Sequence, residues 1–247
     1  MILQRLATSI RKQDWFTVLI ETLIVVLGVF IGLQVNNWNE TRRERAFEAQ
    51  IMERLNNEVP ALIATRSAER GFTAHRKAAL DTALVKLFAP GSDEELTDME
   101  CLAIALSHIY PRSPDDLTVL DELKSTGRID IIRDANIRAA LSGFVLARDE
   151  GRSTQSAVSI DLHQLPAEFH DLLQSSFEPA PGESLEDADA SYSCDTAGMR
   201  QDRAFLTKLV INRQRLKTYF KTEFEDVDAT LQTLRVAISG ERGQTAR

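Results

Sequence analysis

The chain has 247 residues, with 29 Lys and Arg against 37 Asp and Glu, a net charge of −8 and only two cysteines. That acidity speaks against nucleic-acid binding, because phosphates need a clustered basic surface. No CxxC is present, so neither a zinc site nor a dithiol redox pair is supported, and no repeat or low-complexity tract divides the chain.

Residues 1–14 form a short leading segment. Ile2, Leu3, Leu6 and Ile10 fall on one helical side with Arg5, Arg11 and Lys12 around them. That is the pattern of an interfacial helix lying on anionic headgroups; a frayed terminus with scattered leucines is the competing reading. Residues 15–38 then read as a transmembrane anchor. Phe16 to Val35 carry a single ionisable side chain, and at 1.5 Å rise per residue they span about 30 Å, the thickness of a bilayer's hydrocarbon core. Trp15 and Trp38 bracket the run as interfacial aromatics. A signal peptide would have a shorter apolar centre and a small-x-small cleavage site, whereas this run ends in Gln34-Val35-Asn36-Asn37-Trp38.

Glu21 lies about 9 Å inside Trp15, where a charge is costly. At 100° per residue Glu21, Val25, Gly28 and Gly32 share one face, and the two glycines make a GxxxG that lets a second helix approach closely. The face therefore predicts self-association or pairing with another membrane protein, the partner supplying the hydrogen bond that Glu21 would otherwise lack. The plainer reading is a protonated carboxyl, or one that reaches the headgroups, in a helix apolar enough to tolerate it.

The stretch IETLIVVLGVFIGLQVNNWNE resembles the opening of a family of uncharacterised bacterial single-pass membrane proteins, a domain-of-unknown-function family. Its members begin with an apolar helix carrying an early acid and continue in a run similar to VIGILIALQINNWNE. Glu21 matches the early acid, and Gln34 to Glu40 match the LQ-x-NNWNE ending. Gly32 departs from the pattern, standing where many relatives have Ala, so small-xxx-small is the shared feature. Leu120 to Leu141, LDELKSTGRIDIIRDANIRAAL, is similar to a second segment of the family. The resemblance implies a bacterial envelope protein whose bulk lies outside the cytoplasm, and it supplies no activity.

Arginine counts orient the anchor poorly. Arg5, Arg11 and Lys12 precede it; Arg42, Arg43, Arg45 and Arg54 follow, interleaved with Glu40, Glu44, Glu48 and Glu53. The short basic N-terminal flank and the resemblance together place the N-terminus in the cytoplasm and the larger domain in the periplasm, on the bacterial inner membrane.

Residues 39–239 are read as an all-α domain: a stalk continuing the anchor, then an antiparallel helical bundle. Phe47, Ile51, Leu55, Val59 and Leu62 form an i, i+3/i+4 stripe, with Arg54 and Glu58 at pairing distance. Pro60 is expected to kink or break this helix, which resumes to about Phe88 before the turn APGSD. Thr97-x-x-Glu100 predicts a capping box opening a helix to about His108. PRSPDD interrupts the chain, and Thr118 to Thr126 is a short helix stopped by Gly127. Asp134 caps a long helix to about Ser176. No alternating strand pair is predicted, and 177–198 is an acidic loop. Met199 to Ser239 is the last helix, with Phe205, Leu209, Leu216, Phe220, Phe224, Val227, Leu231 and Leu234 inward. Residues 240–247 are a flexible tail.

The chemistry searched for is sparse. Cys101 and Cys194, one in a helix and one in the acidic loop, suggest in an oxidising compartment a disulfide that pins the loop to the bundle; two separate thiols are the alternative. Asp187, Asp189, Ser191, Ser193 and Asp195 fit alternate positions of a calcium loop. Tyr192 replaces the turn glycine and Gly198 the bidentate acid, so a solvated loop is the better reading and no metal is expected. His163 and His170 would share a helix face near Asp161, Glu168 and Asp171, read as amphipathic packing. No HExxH, ExxH, GxSxG, P-loop or dinucleotide fingerprint occurs, so neither enzymatic activity nor a cofactor is expected. The expected role is a scaffold, assembly factor or modulator acting through protein contacts. The alternative is a periplasmic small-molecule sensor signalling through a membrane partner, since 14 residues before the anchor leave little room for an output domain.

Overall fold

A computed structural model of the chain describes residues 15–160, 162–177 and 190–245. The expected interfacial segment 1–14 and most of the acidic loop lie outside them. The chain divides into two units, Met1–Glu53 and Arg54–Arg247.

Helix α1 runs from Trp15 to Phe88. Within the first unit, every residue from Leu19 to Glu40 is exposed, apolar side chains included, so this stretch is a candidate membrane span by length and composition. Arg42 lies 6.0 Å from the centre of the Trp38 ring, a cation–π contact next to the polar end of the apolar run.

In the second unit α1 passes Pro60 without interruption, contrary to the break expected there. Pro60 faces solvent, where water can satisfy the carbonyl its missing N–H leaves free, while buried Val59 and Leu62 fix the backbone on either side. Buried positions then recur at spacings of three and four, with one step of seven between Arg66 and Thr73: Leu55, Val59, Leu62, Arg66, Thr73, Arg76, Leu80, Ala83 and Leu87. This seam is apolar except at three places, two of them arginines.

Gly91 turns the chain at φ +66°. Helix α2, Asp98–Ala105, starts with a complete capping box. Thr97 Oγ1 accepts from the Glu100 amide at 3.3 Å, and the Glu100 carboxylate accepts from the Thr97 amide at 2.8 Å and from Lys86 Nζ at 2.9 Å. Burial pushes the Glu100 carboxyl up, but these donors overcome it and hold the group below its ordinary range. Helix α3, Thr118–Ser125, has no side-chain cap of its own; Glu58 of α1 supplies one, accepting from the Val119 amide at 3.1 Å. It ends at Gly127, φ +66°, with Arg128 N–H bonded to Leu123 O and Gly127 N–H to Lys124 O, the Schellman pattern for which a left-handed glycine is the favoured stop.

After a 3-10 turn at Ile129–Ile131, helix α4 spans Ala135–Val158, capped by Asp134. It stops well short of Ser176. A four-residue helix α5, Leu165–Glu168, follows, and then strand β1, Leu173–Ser176. Strand β2, Ser191–Cys194, pairs with β1 antiparallel, Leu173 opposite Cys194 and Ser176 opposite Ser191. The chain is therefore helical with one small two-stranded ladder where helix and loop were expected. His163 and His170 flank α5 instead of sharing a helix face.

Helix α6, Thr196–Gln201, is separated by Asp202 from α7, Arg203–Phe220. Asp202 accepts from the amides of Ala204 and Phe205, restarting the helix. A π-helical segment, Lys221–Asp226, leads into α8, Val227–Thr245, which covers most of the stretch expected to be a tail. All eight residues expected to face inward from this run are buried. The run is antiparallel to α1: Asp81 meets Arg213, Lys77 lies over Phe220, and Arg66 meets Asp228. Helix α4 packs along the π-helical segment and α8, completing a helical bundle.

Candidate functional site

In the first unit, Glu21, Val25, Gly28 and Gly32 are all exposed, Val25 at 65 %, and a Cβ built on either glycine meets no heavy atom within 4 Å. The helix-packing face expected there is thus open along its length. Trp38 is exposed as well, while the side chain of Trp15 lies outside the described residues.

In the second unit, Cys101 and Cys194 are joined as a disulfide, Cα to Cα 5.9 Å. It ties β2 to α2, so the ladder is held covalently to the bundle. Asp187 and Asp189 fall outside the described residues. Asp195 is occupied otherwise: its carboxylate accepts from the Gly198 amide at 2.9 Å and caps α6. A Cβ on Gly198 would collide with that carboxylate and come within 2.7 Å of Leu172 Cδ2. The glycine that spoils the calcium pattern is therefore what the cap requires.

The densest polar chemistry lies where α1, the 109–117 loop, α4 and the π-helical segment meet, and the sequence reading did not single it out. Arg66 is fully buried in the α1 seam. Its Nε donates to Asp228 Oδ1 at 2.7 Å, its Nη1 to Pro114 O at 2.8 Å and its Nη2 to Glu223 O. The guanidinium also stands 5.7 Å from the Phe224 ring centre, and Nη1 is 3.6 Å from Glu223 Oε1. One side chain thereby joins four parts of the fold. The 109–117 loop has few helical partners for its carbonyls, and bundle side chains take them instead: Arg76 bonds Ile109 O, Gln155 bonds Tyr110 O, Tyr219 bonds Pro111 O and Arg66 bonds Pro114 O. Asp115 is buried and clamped by Arg152, Nε to Oδ2 at 2.6 Å and Nη2 to Oδ1 at 2.7 Å. Burial raises the Asp115 carboxyl, but this two-pronged pair outweighs it and leaves the group below its ordinary value.

Glu223 is the exception. It is 2 % exposed, and its Oε1 has no hydrogen-bond partner. A Cβ on Gly151 of α4 would lie 3.1 Å from Glu223 Oε2 and 3.3 Å from Thr222 O, so α4 can approach this segment closely only because residue 151 lacks a side chain. Burial, reinforced by the nearby Asp115 charge and only partly opposed by Arg66, pushes the Glu223 carboxyl up to about 7. The same burial, with the Glu223 charge added, raises the Tyr219 hydroxyl above its ordinary value. Beside this cluster, Ile63, Ser67 and Arg70 of α1 face Glu225, Asp228, Ala229 and Gln232 across a surface cavity of about 260 Å³. The available signal for the cluster is an arginine on the inward stripe of α1, seven residues past Val59.

No protein-family model, no curated protein and no solved structure matches this chain.

Proposed function

We propose that the protein is a single-pass anchor carrying a helical domain in the bacterial periplasm, where it acts through protein contacts as a scaffold, assembly factor or modulator. The observation that carries the reading is the exposed apolar stretch of α1 from Leu19 to Val35, which matches a bilayer core in length. The Cys101–Cys194 disulfide supports the periplasmic side, since such bonds persist in oxidising compartments and are rare in the cytosol. The family resemblance around LQVNNWNE points the same way. Contact with a partner helix runs along Glu21, Val25, Gly28 and Gly32, where two glycines let backbones approach and a carboxyl gains from a hydrogen bond it cannot find in lipid.

Crosslinking in intact membranes tests this. The wild-type chain is expected to give a discrete crosslinked species, either a dimer or a complex with one other membrane protein. Glu21→Ala and Gly28→Leu are each expected to weaken it severalfold; an unchanged pattern in both variants removes the helix face from the account.

A further inference from the structure

We propose that Glu223 is a proton-operated latch: neutral, it lies quietly in the core, and ionised, it competes with Asp228 for the Arg66 guanidinium and so resets how the π-helical segment is clamped to α1.

The geometry supplies each part. Glu223 is buried with one carboxylate oxygen lacking a hydrogen bond, and Arg66 is the main group placed to compensate a negative charge there. Arg66 is already committed: its hydrogen bonds go to Asp228, Pro114 and the Glu223 backbone, and Glu223 Oε1 gets only a 3.6 Å approach. A charge on Glu223 therefore draws Arg66 from partners it holds at 2.7 and 2.8 Å. The surroundings give little other help. From α1 come Arg66 and, through its contact with Asp228, Arg70. From the loop come Asp115, which opposes ionisation, and Arg112, which favours it weakly. From α4 come Arg152, spent on Asp115 and Asp116, and Arg148, turned toward Asp121 and Asp149. Helix α7 adds the neutral Tyr219 hydroxyl, bonded to Pro111 O, and α8 adds Asp228. On the segment itself Lys221 pairs with Asp226 at the surface. The π-helical turn bulges where Gly151 leaves room, and Asp228, whose Oδ2 is 3.6 Å from Arg70, lines the surface cavity. A change in the Arg66–Asp228 bond is thus transmitted to an exposed groove. Short π segments of this kind recur at functional sites, and protonation of a buried group is a recurrent way to bias a two-state element.

The carboxyl's value near 7, against an ordinary 4.5, puts the transition in the neutral range. Because the folded chain keeps the proton over that interval and the unfolded chain does not, Glu223 makes the fold less stable as pH rises from 4.5 to about 7. Asp81, Glu100 and Asp115, with lowered values, and His108, lowered by burial, contribute with the opposite sign. Those groups are common to wild type and variant, so a difference measurement isolates Glu223.

The test is an infrared titration of the full-length protein in lipid nanodiscs, with thermal melts on the same samples. The wild type is expected to lose a protonated-carboxyl band between about pH 6 and 8, and Glu223→Gln to lack that transition. A band belonging to Glu21 would survive in Glu223→Gln and vanish in Glu21→Gln. The melting temperature of wild type relative to Glu223→Gln is expected to fall as pH rises from about 4.5 to about 7 and to level off above it. Asp115→Asn, which removes the opposing charge, is expected to move the infrared midpoint to lower pH, and it serves if Glu223→Gln does not fold. Superimposable titrations of wild type and Glu223→Gln overturn the proposal, as does a midpoint that Asp115→Asn leaves in place.

Discussion

Arg66 shows how one side chain can organise a bundle that composition describes only as amphipathic. It stands at an inward position of the α1 seam, and the cost of burying its charge is offset by three hydrogen bonds, one of them to the Asp228 carboxylate. Polar groups at such positions can fix register; here the register set is that of α1 against the 109–117 loop and the C-terminal run. Removing the guanidinium while keeping the volume, Arg66→Met, takes from Asp228 the nearer of its two arginines, leaves the Glu223 carboxyl without its neighbouring cation and frees Pro114 O. The expected loss is about 3–5 kcal/mol, read as a lower denaturation midpoint; a variant within about 1 kcal/mol of wild type would show that the network is not a structural clamp. At this scale the sequence was legible where a residue's conformational role is local. Gly127 stops α3, and Thr97 and Glu100 cap α2, because the partners lie within a few positions of each other. Arg66, Asp115 and Glu223 were not legible, since their hydrogen-bond partners lie 37 to 162 positions away and no local pattern marks them.

Helix interiors were read well and helix ends less well. The inward residues of α7 and α8 follow from three- and four-residue spacing alone, and the π-helical turn preserves the pattern by letting Phe220 and Phe224 both remain inside. The break expected at Pro60 is absent because tertiary burial on either side overrides a local preference. The early end of α4 reflects the opposite balance. Past Val158 the chain meets Pro166, which bars a helix from running through from α4 and is tolerated only because it falls in the first turn of α5, and the residues beyond pair with Ser191–Cys194. A four-residue ladder of Leu, Gln and Ser against Ser, Tyr, Ser and Cys carries little strand signal, and such a two-stranded pair is marginal alone. It is stabilised by its covalent link to α2 through Cys101–Cys194. Reducing that bond, or replacing both cysteines by Ala, is expected to lower stability by up to about 4–5 kcal/mol, since the link closes a long loop. Hydrogen exchange should rise first in β1 and β2; protection unchanged there on reduction would mean the ladder holds itself.

For the molecule as a whole, an acidic helical domain is joined in one chain to a helix with an exposed apolar stretch. That apolar length is the clearest feature of the sequence, because length and composition alone mark a candidate membrane span, independently of tertiary packing. The electrostatics of the domain point two ways. Asp81 and Asp115 are lowered by arginine and Glu100 by the Thr97 amide and Lys86, and these help the fold at neutral pH, whereas among the described residues Glu223 alone of the perturbed carboxyls is raised. The proposed anchor and the proposed proton latch lie in separate units of the chain. The anchor is tested most directly by washing membranes that carry the full-length protein with alkaline carbonate and asking where it goes. Retention in the membrane pellet, with detergent needed for release, is the predicted result; recovery of the intact chain in the aqueous wash would contradict a helix embedded over residues 16–35.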